Sequence, residues 1–192
     1  MLKNISVSAK GFIAFGIIAV IAIGASSLIY ARSKTATDLV KHNLELAALV
    51  DETKALSDTV TKANLAFKEF LLTGNRDFVE DYGTLSKSID TQIAKLDPVF
   101  AGRPADQSDG FKLAVSAVNT WRTSVIDHQF NLMRDPMTVE LARAVEATGE
   151  GMKLVDDFSA KLSGVSASVQ KEAAIAAANQ MSALGSVELI SL

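Results

Sequence analysis

Few side chains here have the type and spacing that chemistry needs. The chain has no cysteine and two histidines, His42 and His128, so thiolate nucleophiles, disulfides and cysteine metal sites are excluded together. Both histidines fall on apolar helical stripes. His42 is expected near the start of the folded body and His128 toward its far end, so they do not share a metal ion. Each reads as an inner side chain with one hydrogen bond. Glu80-Asp81 and Asp156-Asp157 are adjacent carboxylates, and neighbours on a helix point about 100° apart, so neither pair converges on one reacting centre.

Trp121 beside Arg122 is the first ligand-binding candidate, because an aromatic ring and a guanidinium together can hold a small anion or a planar compound. Trp121 also lies on the core stripe between Val118 and Val125, and packing is the favoured account of it. Arg76, Arg134 and Arg143 are expected near the outer end of the fold, where an anion would be the matching ligand. No catalytic residue, metal ligand or cofactor is expected, and the chain reads as non-enzymatic. Lys and Arg total 19 against 22 Asp and Glu, which leaves no positive excess for a nucleic acid.

The elements that would position these residues are helical. Aromatics are 6% of the chain, with 11 glycines and 3 prolines, too little turn punctuation and aromatic content for many short strands. From Gly11 to Ala31 the sequence is apolar and uncharged, flanked by Lys3 and Lys10 on one side and Arg32 and Lys34 on the other. At about 1.5 Å per residue that run covers roughly 30 Å, a bilayer's hydrocarbon core. A cleaved signal peptide is the competing reading, with Gly24, Ala25 and Ser26 near a cleavage point. The apolar run continues through Leu28, Ile29 and Tyr30, which favours a retained span. The flanking charges balance and give no orientation.

Beyond the span, Leu39, His42, Leu46, Leu49, Thr53, Leu56, Val60, Ala63, Phe67 and Phe70 recur at steps of three and four, predicting a long amphipathic helix. It is expected to run unbroken from the span to Thr73-Gly74-Asn75, where Gly74 supplies a left-handed cap. A second helix, capped by Asn75 or Asp77, carries Phe78, Tyr82, Leu85, Ile89, Ile93 and Leu96 and ends before Pro98. Residues 98–110 read as the main loop. A third helix shows Phe111, Ala114, Val118, Trp121, Val125, His128 and Leu132 and stops at Asp135-Pro136. A fourth starts near Met137 or Thr138 and continues through Gly149, Gly151 and Gly164.

The fold class is therefore all-α: an amino-terminal transmembrane helix and an up-down-up-down four-helix bundle with long first and fourth helices. Residues 1–10 form a short cytoplasmic start, 11–31 the span and 32–180 the bundle. Residues 181–192 are a membrane-proximal end that begins a second span. Near the membrane the stripes Leu39 and Leu46 with Val165 and Val169 are expected to lack cover, which predicts a parallel homodimer.

Phe70-Leu71-Leu72-Thr73-Gly74-Asn75, followed by Phe78 and Tyr82, resembles the CHASE-type extracellular sensory domains of the third class. Trp121, Asp135-Pro136, Thr138, Ala142-Arg143, Glu146, Gly149, Gly151 and Asp156 or Asp157 resemble that domain's second half. Lys68 and Glu69 depart from it, standing where the family more often has Arg and a small residue. The start, MLKNISVSAK into an apolar span, is similar to that of methyl-accepting chemotaxis proteins. The resemblance implies a domain between two spans of a bacterial inner (cytoplasmic) membrane, facing the periplasm or exterior. Its partners would be the lipid bilayer and a small-molecule or protein ligand of unknown identity, and its output a chemotaxis signalling tail or a histidine kinase. A membrane-anchored helical adaptor without a small-molecule ligand is the alternative.

Overall fold

The computed structural model describes residues 7–188. Among the described residues every regular element is helical: α1 (Val7–Thr73), α2 (Asp77–Ala101), α3 (Ala105–Thr120), a π-helical turn (Trp121–Ile126), α4 (Asp127–Met133), α5 (Val139–Ala147) and α6 (Glu150–Glu188). The chain divides into two compact units, Glu45–Ala173 on the one hand and Met1–Leu44 with Ala174–Leu192 on the other.

In the second of these units the amino-terminal part of α1 presents apolar side chains on all sides. Phe12 is 81% exposed and Phe15 78%, and Ile18, Val20, Ile21, Ile23 and Ile29 are exposed too. None of this apolar stretch, with mean hydropathy 1.8, is buried within the protein. By length and composition the helix can cross a membrane, and lipid is the surrounding that such a surface matches. Residues 1–6 of the expected cytoplasmic start and 189–192 of the expected second span lie outside the described residues.

Helix α1 is unbroken to Thr73, as its apolar periodicity predicts. Gly74, at φ +72°, closes it, its N–H donating to Phe70 O at 2.7 Å. Asn75 Oδ1 then accepts from the Asp77 N–H at 3.0 Å and starts α2, satisfying one of the donors that a helix amino terminus leaves free.

Several expectations are corrected. Helix α2 does not stop before Pro98 but runs through it to Ala101. A proline forfeits a single helical hydrogen bond, and the extra turn buries Phe100, which stacks on Phe111 at 4.5 Å. The expected loop of residues 98–110 accordingly shrinks to Gly102-Arg103-Pro104. Gly110 lies inside α3 because α6 passes close by: a β-carbon there would meet Val165 Cγ2 at 2.7 Å.

The third helix is interrupted by the π-helical turn, in which the Asp127 N–H donates to Arg122 O, five residues back. A π turn takes up one residue more than an α turn, so the turn that follows it moves one place around the helix. His128, expected inside, is exposed, and Gln129 is fully buried in its stead.

The fourth helix breaks at Thr148-Gly149. Gly149 adopts φ +76°, a conformation that costs a side-chain-bearing residue energy. Short α5 is thereby set off from long α6.

The core of Glu45–Ala173 is continuous from Leu46 and Leu49 to Val169. Leu46, Val165 and Val169 are at most 2% exposed within the single chain, so they do not wait for a partner copy as their sequence position suggested. α1 meets α2 through Gln92 Nε2 donating to Thr59 Oγ1 at 3.1 Å and Lys95 pairing with Glu52 at 2.8 Å. α3 meets α6 through Gln107 Nε2 donating to Ser168 Oγ at 3.2 Å.

Candidate functional site

Five aromatic rings gather where α1 ends and the π turn begins. Phe67 lies 4.9 Å from Phe130 and 5.8 Å from Tyr82. Phe130 is 5.4 Å from Phe70, and Tyr82 is 6.3 Å from Trp121. Edge and tilted geometries of this kind add to the apolar burial itself. Burial pushes the Tyr82 hydroxyl above its ordinary pKa of 10.0, against the opposing pull of the Arg122 charge and a hydrogen bond with Ser86.

Trp121 belongs to this core, 1% exposed. Arg122 points elsewhere: Nη1 pairs with Asp90 at 2.5 Å, and Nη2 donates to Ser86 O at 2.7 Å and Ser86 Oγ at 2.9 Å. The indole and the guanidinium are therefore engaged separately. Arg143 Nε donates to Leu71 O at 3.0 Å and Nη2 to Leu72 O at 3.3 Å, capping the carboxyl end of α1, while Nη1 pairs with Glu140 at 2.7 Å. Arg76 and Arg134 are exposed, just before α2 and just after α4. Glu80, Asp81, Asp156 and Asp157 all face solvent. Among the described residues no group of three or more His, Asp or Glu is placed to hold a metal ion.

Beneath the aromatic cluster is a polar set that periodicity did not foretell. Gln129 Nε2 donates to Ala142 O at 3.1 Å and reaches Glu146 Oε2 at 3.4 Å. Glu146 in turn pairs with Lys68 at 3.0 Å. Gln129 Oε1, Trp121 Nε1 and Arg122 Nε are buried without a hydrogen-bond partner in the protein. A β-carbon at Gly151 would meet Val125 Cγ1 at 3.1 Å, Glu146 Oε2 at 3.6 Å and Trp121 Nε1 at 4.0 Å. Gly151 thus seats the first turn of α6 directly on the π turn.

A second polar set ties α3 to α6. Arg103 Nη2 pairs with Glu172 at 2.5 Å, Gln107 Nε2 donates to the same carboxylate at 3.0 Å, and the Ser168 hydroxyl donates to Asp106 at 2.6 Å. That last bond, foremost, holds the Asp106 carboxyl below its ordinary pKa of 3.8.

Between α1 and α6 lies a cleft of about 220 Å³, lined by Val50, Thr53, Lys54 and Ser57 from α1 and by Ser159, Leu162, Ser163, Ser166 and Gln170 from α6. Sequence reasoning missed it. The signal was the recurrence of Ser159, Ser163, Ser166 and Gln170 at steps of four and three along one face of α6. The walls carry hydroxyls and no carboxylate, so the cleft suits water or a neutral or anionic solute.

The described residues thus form an all-helical domain whose first helix begins with an apolar stretch long enough to cross a membrane, with polar sets tying its helices together. The CHASE3 domain model matches residues 36–179, and the chain belongs to this family of extracellular sensory domains of signalling receptors. No curated protein and no solved structure matches it.

Proposed function

We propose that the chain is the ligand-sensing and signal-transducing region of a bacterial chemoreceptor of the methyl-accepting type. In this reading residues 11–31 anchor it in the inner membrane, and residues 32–180 form an up-down-up-down bundle facing the periplasm or exterior. Residues 181–192 begin a second span that leads to a cytoplasmic output. The region is non-catalytic and acts by moving helices. The observation that carries the reading is the family match to residues 36–179, which overlaps the same unbroken helix that holds the apolar stretch.

Contact order supports the bundle. Residue 52 faces 95 and 59 faces 92, so α1 and α2 run in opposite senses. So do α2 and α3, with Phe100 on Phe111 and Asp90 on Arg122, and α3 and α6, with Gln107 on Ser168 and Gly110 on Val165. A parallel homodimer is part of this reading, with the exposed Leu65 and Leu72, seven residues apart on α1, offering it an apolar contact.

The test is a chimera in which residues 1–192 replace the sensory region of a working chemoreceptor in receptor-deficient cells. The expected result is a change of swimming bias on addition of at least one solute from a panel of amino acids, dicarboxylates, sugars and quaternary amines. A reporter active only outside the cytoplasm, fused after Lys54, should be active. An inactive reporter would overturn the orientation, and a bias indifferent to every solute while a protein partner is retained would replace this reading with the helical adaptor.

A further inference from the structure

The sequence of the third helix supports two registers. Phe111, Ala114, Val118, Trp121 and Val125 are buried at steps of three and four. Continued as a plain α-helix, the same steps bring His128 and Leu132 inward. The π turn instead buries Ile126 and Gln129, one place after Val125 and His128, while Phe130, Leu132 and Met133 all pack half-buried against the core. Single π turns of this kind concentrate at functional positions.

Opposing terms act on the observed register. The observed register keeps Phe130 against Phe67, Phe70 and Tyr82. It also leaves Gln129 fully buried with Oε1 unpartnered, and buries the unpartnered Trp121 Nε1 and Arg122 Nε. Buried polar atoms without partners are costly. All three belong to the irregular segment or the turn that follows it. Reverting to an α-helix would withdraw Gln129 from Ala142 and Glu146, relieving the first of these strains while giving up ring contacts.

We propose that Trp121–Ile126 is a register switch, in which loss of the π turn rotates α4 by one residue and exchanges Gln129 for His128 against α5. The rotation is about 100° with a slide of about 1.5 Å. It acts on α5 through Ala142 and Glu146, and on the first turn of α6 through Gly151, which abuts Val125 and Trp121. This device rests on helix geometry and holds whatever the domain senses.

The chain's lack of cysteine permits a direct test. Ala142→Cys is paired in turn with Gln129→Cys, His128→Cys and Asp127→Cys in the full chain reconstituted in phospholipid vesicles, and disulfide formation is timed. The Gln129 pair should close fastest. The His128 pair should close about 10- to 1000-fold more slowly, as for a conformer populated at roughly 0.1–10%, yet faster than the outward Asp127 pair. Deleting Ser124 removes the surplus residue. It should leave the Gln129 pair reactive, slow the His128 pair to the Asp127 rate, and raise the melting temperature, whereas deleting Ser116 from the regular part of α3 should lower it. A His128 pair no faster than the Asp127 pair overturns the switch. So does a Ser124 deletion that leaves the His128 rate unchanged, or that destabilises as much as the Ser116 deletion.

Discussion

The side-chain amide of Gln129 donates to the Ala142 carbonyl at 3.1 Å while its own oxygen is buried without a partner. One half of a polar group thus holds α5 in place and the other half strains the core around it. Gln129→Met keeps the volume and removes both halves together. Its stability should lie within about 1 kcal/mol of the parent, because the hydrogen bond lost to Ala142 O is offset by removal of the buried, unpartnered oxygen. Gln129→Glu, which buries a charge beside Glu146, should cost at least about 3 kcal/mol. Urea midpoints of the two variants check both.

Gly110 and Gly83 make an opposed pair. Gly110→Ala would place a β-carbon 2.7 Å from Val165 Cγ2, on a side chain too stiff to swing aside. It should destabilise by about 1–3 kcal/mol, and Val165→Ala in the same chain should recover part of that loss. Gly83→Ala meets nothing within 4 Å and should stabilise by about 0.5–1 kcal/mol. Thermal melts of these variants decide.

Arg143 closes the carboxyl end of α1 with two main-chain bonds from one planar group. Arg143→Ala should cost about 1–3 kcal/mol. Arg143→Lys should rescue less than half, because an ammonium lacks the fork that reaches both carbonyls. Amide exchange at the last turn of α1 should speed up in both variants and leave α2 unaffected.

Asp106 gives a pH signature. Its carboxyl titrates below 3.8 in the folded chain, chiefly through the Ser168 hydroxyl. A depressed carboxyl contributes stability that is present above the unfolded value and is lost as pH falls through the folded one. Ser168→Ala should raise the Asp106 midpoint toward 3.8, read by carboxyl-carbon NMR. The acid edge of stability should then steepen less below that pH.

Sequence periodicity carries α1 almost entire, from its apolar span through Phe70 to the Gly74 cap, because heptad spacing, cap chemistry and composition agree there. It fails where tertiary packing overrides local preference. Pro98 is a stop signal, yet α2 continues because Phe100 finds Phe111. Gly110 reads as loop until α6 comes within reach of its α-carbon. The π turn leaves no mark in spacing before Ile126, so spacing alone puts His128 inside and Gln129 out. Of the ligand candidates, Arg122 and Arg143 are legible as charges but not as the main-chain clamps they are, since the carbonyls of Ser86, Leu71 and Leu72 have no signature in sequence.

Gly151 leaves little free play where α6 begins. With less than a methyl group's clearance to Val125, little empty space remains to take up a displacement of the π turn toward that glycine. A joint built that way has little dead band, so a push from Trp121 or Val125 bears on the backbone of α6 with little lost motion.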